Sequence, residues 1–289
     1  MDMLQSFLFV PADSSRKLAS SRSHRPDALI YDLEDAVSID KKVEARELLR
    51  NELENATNPS AKLFVRVNCV GSSFLEDDLR AAVRPQVHSI VLPKCNDVAE
   101  IAQVHQRMLS LENEIGMPEG STKLVLILES ARGVARAGEL ARSSPRIFAV
   151  LFGGEDFCAD MGIVRTKAGD EIVVARALVA LAAKAERLEA IDGPFTDFKD
   201  ASGLFEETRR IKQMGFTGKA LIHPNQIETV HSAMAPTPDE ISLAEEIVRT
   251  FEQSGQGVTV VRGKMIDEPV AAQAKKILQQ RSRYRKTDH

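Results

Sequence analysis

No run of apolar residues in the chain reaches the roughly 18 residues that a membrane-spanning helix needs, so no membrane partner is expected. The first residues, Met1-Asp2-Met3-Leu4-Gln5, carry no basic segment and no small-residue cleavage site, so no secretory signal is expected either. The three cysteines, Cys69, Cys95 and Cys158, are isolated. No CxxC and no Cys/His pair has metal spacing, which excludes a disulfide framework or a zinc finger and fits a reducing, cytoplasmic setting. Charge of one sign is missing too: 38 basic residues face 42 acidic ones, a net charge of −4. The one basic run, Arg281-Ser-Arg-Tyr-Arg-Lys286, sits at the very end and reads as a solvated tail, so nucleic acid is not an expected partner. Internal repeats and low-complexity segments are absent. No GxGxxG follows the first apolar run, where Pro11-Ala12-Asp13-Ser14 stands instead, which counts against a dinucleotide-binding open sheet.

What is present is a rhythm of short apolar, β-branched runs alternating with amphipathic stretches. The runs are Phe7–Val10, Ala28–Leu33, Leu63–Val67, Ser89–Leu92, Leu124–Leu128, Ile147–Phe152, Ala190–Ile191 and Ala220–Ile222. Helices are expected between them, among them 41–54 with Val43, Leu48, Leu49 and Leu53 on one face, and 171–188 with Ile172, Val173, Ala177, Leu178 and Leu181. Near-continuous apolar strands are those buried on both faces. Eight such strand–helix units predict an α/β fold, a (β/α)8 TIM barrel over residues 1–235. A C-terminal helical and lid extension is expected over 236–289. In it Asp239 caps a helix over 240–253, 258–261 is extended, 262–269 is a turn forming the lid segment, and a terminal helix follows.

Barrel enzymes do their chemistry at the C-terminal ends of the strands. Here those ends carry Asp32-Leu-Glu34-Asp35, Arg66, Lys94, Glu129, Gly153-Gly-Glu155-Asp156, Asp192 and His223. Carboxylates converging on one point repel unless a cation sits among them. With no Cys and no paired His, a hard cation is indicated, and Mg²⁺ characteristically takes one or two protein carboxylates. Glu129 and Asp156 end adjacent strands and are the expected ligands. Capping roles compete, for Glu129 at a helix starting near Ala131 and for Asp156 in its loop. Gly153 and Gly154 leave room for a substrate. Arg66, flanked by Val65 and Val67, is expected to point inward among the carboxylates; a structural ion pair is its alternative. Glu34 and Asp35 cannot both face the site, because neighbouring strand residues point opposite ways, and Glu34 is preferred.

Phe9-Val-Pro-Ala12, Asp32-Leu-Glu-Asp35, Arg66-Val-Asn68, Leu92-Pro-Lys94, Leu128-Glu129 and Gly153-Gly-Glu-Asp156, in this order, resemble the citrate lyase β-subunit-like proteins of the aldolase/citrate lyase family. Malyl-CoA and citramalyl-CoA lyases are relatives. The resemblance implies a (β/α)8 barrel with Mg²⁺ on Glu129 and Asp156, and Arg66 at the reacting carbonyl. Glu34, Gly154 and Glu155 are then substrate-facing, and Phe9, Arg16, Lys17, Lys94 and His223 lie on the CoA side. Met265-Ile-Asp267 resembles the C-terminal lid motif, which implies that Asp267 is catalytic in a neighbouring subunit of a homotrimer. By itself Asp267 reads as a loop residue or the cap of a helix at Val270. The implied activity is Mg²⁺-dependent carbon–carbon cleavage of a 3-hydroxy-3-carboxyacyl-CoA thioester to a 2-oxo acid and acetyl-CoA. Alternatives are a citrate lyase β subunit acting on citryl-acyl carrier, a malyl-CoA thioesterase or malate synthase-like relative, a class II-type aldolase and a non-catalytic binding protein.

Overall fold

The computed structural model describes residues 4–55, 61–255 and 257–284, with side chains up to 279. The chain divides into two compact units, Met1–Val230 and His231–His289. In the first, eight strands form a closed, all-parallel barrel in sequence order: β1 Ser6–Pro11, β2 Ala28–Asp32, β3 Lys62–Arg66, β4 Val87–Leu92, β5 Lys123–Leu128, β6 Ile147–Phe152, β7 Glu189–Asp192 and β8 Gly218–Leu221. β8 returns to pair with β1. Helices occupy the connections, as a parallel sheet requires. No described helix is long and apolar enough to cross a membrane.

The two-residue period of the strands decides what enters the barrel. Phe7, Ile30, Phe64, Val125, Ala149 and Ile191 belong to one buried apolar cluster. Two residues further along their strands come Phe9, Asp32, Arg66, Ile127 and Leu151; Glu129 and Gly153 follow after two more. The apolar plug therefore gives way to charge at the C-terminal mouth.

Two helices bury a different face from the one their apolar spacing suggested. In Lys42–Asn55 the buried residues are Lys42, Ala45, Arg46, Leu49, Glu52 and Leu53, while Val43 is exposed. The inward face carries charge because it has fixed partners: Lys42 Nζ donates to the carbonyls of Leu33 and Glu34, both at 2.7 Å, and Arg46 binds Asp78 at 3.1 Å. In Val173–Ala185 the barrel-facing residues are Ala175, Arg176, Val179, Ala180 and Ala183, whereas Val174 (71%) and Leu181 (68%) are exposed. Arg176 sets that rotation. Its guanidinium grips the fully buried Asp192 at 2.8 and 2.9 Å, and small alanines let the helix come close.

At the N-terminal ends of the strands, away from the mouth, Arg146 and Glu112 form a fully buried pair at 2.6 and 2.8 Å. Burial alone would raise the Glu112 carboxyl. Arg146 and the amides of Thr122 and Gly120 reverse this and hold it down at about 2, against its ordinary 4.5. A carboxyl lowered on folding stabilises above its unfolded pKa and loses that contribution as pH falls through the folded one. Acid unfolding monitored by circular dichroism should thus show a Glu112-dependent loss between pH 4.5 and about 2. Arg146→Met, which strands the buried carboxylate, should cost about 3–5 kcal/mol at neutral pH and less in acid.

In the second unit, Thr237 caps the helix Pro238–Ser254 through a reciprocal capping box with Glu240, at 3.1 and 2.7 Å, displacing the expected Asp239 cap. β9 Val258–Val261 and β10 Lys264–Asp267 pair antiparallel, and the helix Glu268–Tyr284 follows. The expected turn over 262–269 is only two residues long. Arg262 (φ 49°) and Gly263 (φ 75°) both lie in the left-handed region, as a tight hairpin turn needs, and the rest is strand and helix. Val261, Ile266, Ala244, Ile247, Ala271 and Ala274 form this unit's own core. The side chains of the basic run Arg281–Lys286 lie outside the described residues.

Candidate active site

The mouth of the barrel holds a cavity of about 370 Å³. Its floor is Phe9, Ile127 and Leu151, and Asp32, Arg66, Glu129, Gly153, Gly154, Glu155, Asp156, Pro194 and Ile222 are among its walls.

On one side stands Arg66. It is inward, and it is clamped: Nε and Nη2 donate to the two oxygens of Asp32 at 2.7 and 2.5 Å, and Nη1 lies 3.1 Å from Glu34. The Phe9 ring lies against the guanidinium, 4.8 Å from its centroid. Burial works against the cation, but Asp32, Glu34 and Asp35 overcome it and raise the Arg66 pKa, so the guanidinium stays charged. Asp32 also accepts the amides of Glu34 at 2.9 Å and Ala36 at 3.2 Å, which ties the chain after β2 to the same carboxylate.

Glu34 is buried and takes Lys94 Nζ at 2.6 Å. Its other oxygen is the one that faces Arg66 Nη1 at 3.1 Å. Burial raises the Glu34 carboxyl while Arg66 and Lys94 oppose that. Asp35 faces outward, yet its carboxylate still comes within 3.6 Å of Lys94 and 3.9 Å of Arg66. Lys94 adopts φ 56°, rare for a residue with a side chain. That conformation goes with an amide turned onto Glu129 Oε1 at 2.7 Å.

Across the cavity, Glu129 follows β5 directly and Asp156 lies in the first turn of the helix Gly154–Met161. Glu129 is pushed up to about 8, first by burial and then by the carboxylate of Asp156. Two acidic groups thus oppose each other with one of them desolvated, an arrangement a divalent cation relieves. A Cβ on Gly153 would come 2.5 Å from Glu129 Cβ and 2.7 Å from its Oε2, so only glycine leaves the carboxylate its place. Among the described residues no three His, Cys, Asp or Glu side chains converge as a cage. Two carboxylates with open positions are the donor set that Mg²⁺ accepts while keeping water or substrate oxygens. The residues fit that ion.

Gly154 and Glu155 line the cavity. Arg16 and Lys17 are exposed on the helix Ser15–Ser21 that follows β1. His223 is exposed; its Nδ1 pairs with Asn225 at 2.7 Å and its ring stacks on Phe198 at 4.9 Å, beside the cavity residue Ile222. Asp267 ends β10, where its Oδ1 accepts the amide of Val270 at 3.2 Å, so it caps the last helix. Asp32 had no role assigned from sequence, although the alternation that turns Arg66 inward turns Asp32 inward as well.

A family model described as HpcH/HpaI aldolase/citrate lyase matches residues 5–224. A citrate lyase subunit beta from Leuconostoc mesenteroides subsp. cremoris is 35% identical over 95% of this chain and 92% of its own. A mitochondrial citramalyl-CoA lyase from Mus musculus is 36% identical over 94% and 84%. The crystal structure of CitE from Mycobacterium tuberculosis, in complex with magnesium, acetoacetate and coenzyme A, superposes with a TM-score of 0.82 at 29% identity, covering 96% of this chain and 98% of that one. These relatives include named lyases, and their likeness runs through both the barrel and the segment after it. The chain belongs to the HpcH/HpaI aldolase/citrate lyase family.

Proposed function

We propose that the protein is a Mg²⁺-dependent lyase that splits a 3-hydroxy-3-carboxyacyl-CoA thioester, of the citramalyl-CoA or malyl-CoA type, into a 2-oxo acid and acetyl-CoA. The observation that carries this is the pairing of Glu129 and Asp156 opposite a clamped, permanently charged Arg66 across one cavity. Glu129 and Asp156 would hold the metal, which supplies Lewis acidity toward the carbonyl and charge to balance the carboxylates.

The protein's own groups do the rest. Asp32 and Phe9 fix the plane of Arg66, leaving N–H groups free to meet the oxygen that becomes negative. Gly154 and Glu155 border the space for the oxo acid, and Glu34 holds Lys94 at the rim. Arg16 and Lys17, on the helix after β1, offer exposed cations to the CoA phosphates, with His223 beyond the neighbouring strand β8, whereas Lys94 follows β4 across the barrel mouth and Phe9 lies against Arg66. In the condensing direction, Asp267 of a neighbouring subunit takes a proton from the acetyl methyl group. The carbanion so formed bonds to the carbonyl carbon, the carbonyl electron pair moves onto the oxygen facing Arg66, and that oxygen takes a proton from water to become the hydroxyl, which gives it back to water in cleavage. Cleavage is the reverse, with Asp267 returning the proton. The assembly is a homotrimer in this reading.

The test is incubation of the purified chain with citramalyl-CoA, malyl-CoA and citryl-CoA, with Mg²⁺ and with EDTA. Acetyl-CoA and a 2-oxo acid should appear from one of the first two, only with Mg²⁺. Inertness toward all three, or release of free CoA instead of acetyl-CoA, overturns the proposal. A second reading, the β subunit of a citryl-carrier lyase, is favoured by the name of the Leuconostoc relative and predicts inertness until an acyl carrier is supplied.

Gly153→Ala probes the cradle. The new methyl has to displace Glu129, and a displacement of about 1 Å in a catalytic group is worth roughly 10²-fold in rate. Activity and Mg²⁺-induced thermal stabilisation should fall together, with the melting temperature in EDTA changed far less.

A further inference from the structure

We propose that Lys42 is a positioning residue for the cleavage: its buried ammonium, set behind the turn that carries Glu34, offsets the carboxylates around Arg66 and so leaves the guanidinium's charge to the reacting oxygen. The proposal rests on the reading above that Arg66 faces the oxygen that becomes negative, and it adds a residue that does not line the cavity.

Lys42 stands against its local preferences. It is the first residue of the helix Lys42–Asn55, the end at which the helix dipole favours acids over bases. It is only 6% exposed, and lysine is seldom buried unless it is paired. Its Nζ reaches back to the carbonyls of Leu33 and Glu34, both at 2.7 Å. Those two carbonyls do not depend on it. Asn68 Nδ2 donates to the first at 3.0 Å, and the Val37 amide donates to the second at 3.0 Å. Hydrogen bonding alone therefore gives no reason for a charge here.

The carboxylates on the other side of the turn give one. Asp32, Glu34 and Asp35 come within 2.5, 3.1 and 3.9 Å of Arg66. Three carboxylates on one guanidinium leave this corner of the mouth negative, which opposes negative charge growing on a substrate oxygen. Lys94 answers one of them, bound to Glu34 at 2.6 Å, but its side chain is 44% exposed and water screens it. Lys42 answers the next from the dry side. Burial pushes its ammonium down from the usual lysine value, and Asp32, Asp78, Glu34 and Asp35 oppose that. Of these, Asp78 already has Arg46 at 3.1 Å. The other three are the set that surrounds Arg66, so Arg66, Lys94 and Lys42 together bring the corner to neutrality. At an effective dielectric of about 20, a unit charge lost several ångströms away changes a rate roughly tenfold or more.

Steady-state kinetics of Lys42→Met, Lys42→Gln and Lys42→Arg, beside the wild type and on the thioester it cleaves, test the role. Both carbonyls keep a donor in every variant, so the fold should stand; should Lys42→Met fail to fold, Lys42→Gln against Lys42→Arg carries the same contrast. In Lys42→Met and Lys42→Gln kcat should fall about tenfold or more with KM within about twofold of wild type, because the charge acts on an oxygen that is negative only in the transition state. Lys42→Arg, which keeps the charge, should recover most of kcat. A Lys42→Gln protein as active as the wild type overturns the proposal, since glutamine keeps a donor and loses only the charge. So does a loss confined to the melting temperature and KM, or a folded Lys42→Arg protein no better than Lys42→Gln. A wild type that cleaves no thioester removes the lyase reading itself, whereas an active wild type with unaltered Lys42→Met and Lys42→Gln removes this proposal alone.

Discussion

Glu129→Gln is expected to lower kcat/KM on the order of 10³-fold, since the metal's charge stabilisation is worth several kcal/mol. The amide keeps the size of the side chain and an oxygen for the Lys94 amide, so the bond now made at 2.7 Å can persist. What it loses is the charge. Without metal that charge is a burden: burial first, and then Asp156, push the Glu129 carboxyl up to about 8. In EDTA the variant should therefore melt at the same temperature as the wild type or higher. With Mg²⁺ the order should reverse, because only the wild type gains stability by binding the ion. Melting curves with and without Mg²⁺, run beside the kinetics, check both halves. A variant that keeps the Mg²⁺-dependent shift and the wild-type rate shows that Glu129 is not a ligand.

Much of this site was legible along the chain. Alternation in β3 turns Arg66 inward between Val65 and Val67, and the chain after β5 and β6 brings Glu129 and Asp156 to the mouth; Gly153, which reads as room for a substrate, instead makes room for Glu129. Those features are local: they need the period of a strand and the knowledge of which end of a barrel is used. Partners set by register were not legible. Asp32 and Arg66 lie level because β2 and β3 pair Asp32 with Arg66, and no spacing within either segment encodes that pairing. The same holds for Lys94, whose left-handed backbone serves a carboxylate 35 residues away. Helix rotation failed for a related reason. Apolar spacing alone put Val43 and Leu181 inside, whereas the buried faces are chosen by Lys42, Arg46 and Arg176 reaching fixed acceptors. In the second unit, residues 262–269 looked like one turn because glycine and proline bound them. The two-residue hairpin needs only Arg262 and Gly263, which leaves Met265 to Asp267 for a strand.

Asp267→Asn should cost about 10²–10⁴-fold in rate if this carboxylate moves the proton. The capping contact does not predict that loss. Oδ1 of Asp267 accepts the Val270 amide, and asparagine caps helices as well as aspartate does, so β10 and the helix after it should stand. An inactive variant with an unchanged melting temperature therefore separates catalysis from capping. Mixing then tells whose site Asp267 serves. Asp267→Asn chains keep Glu129, and Glu129→Gln chains keep Asp267. If each lid works on its neighbour, oligomers assembled from equal amounts of both chains contain sites with an intact barrel from one and an intact lid from the other. Random assembly into a head-to-tail ring gives about one such site in four, so co-expression should restore roughly a quarter of wild-type activity from two inactive proteins. A lid that serves its own barrel restores nothing, because every site then inherits one of the two lesions.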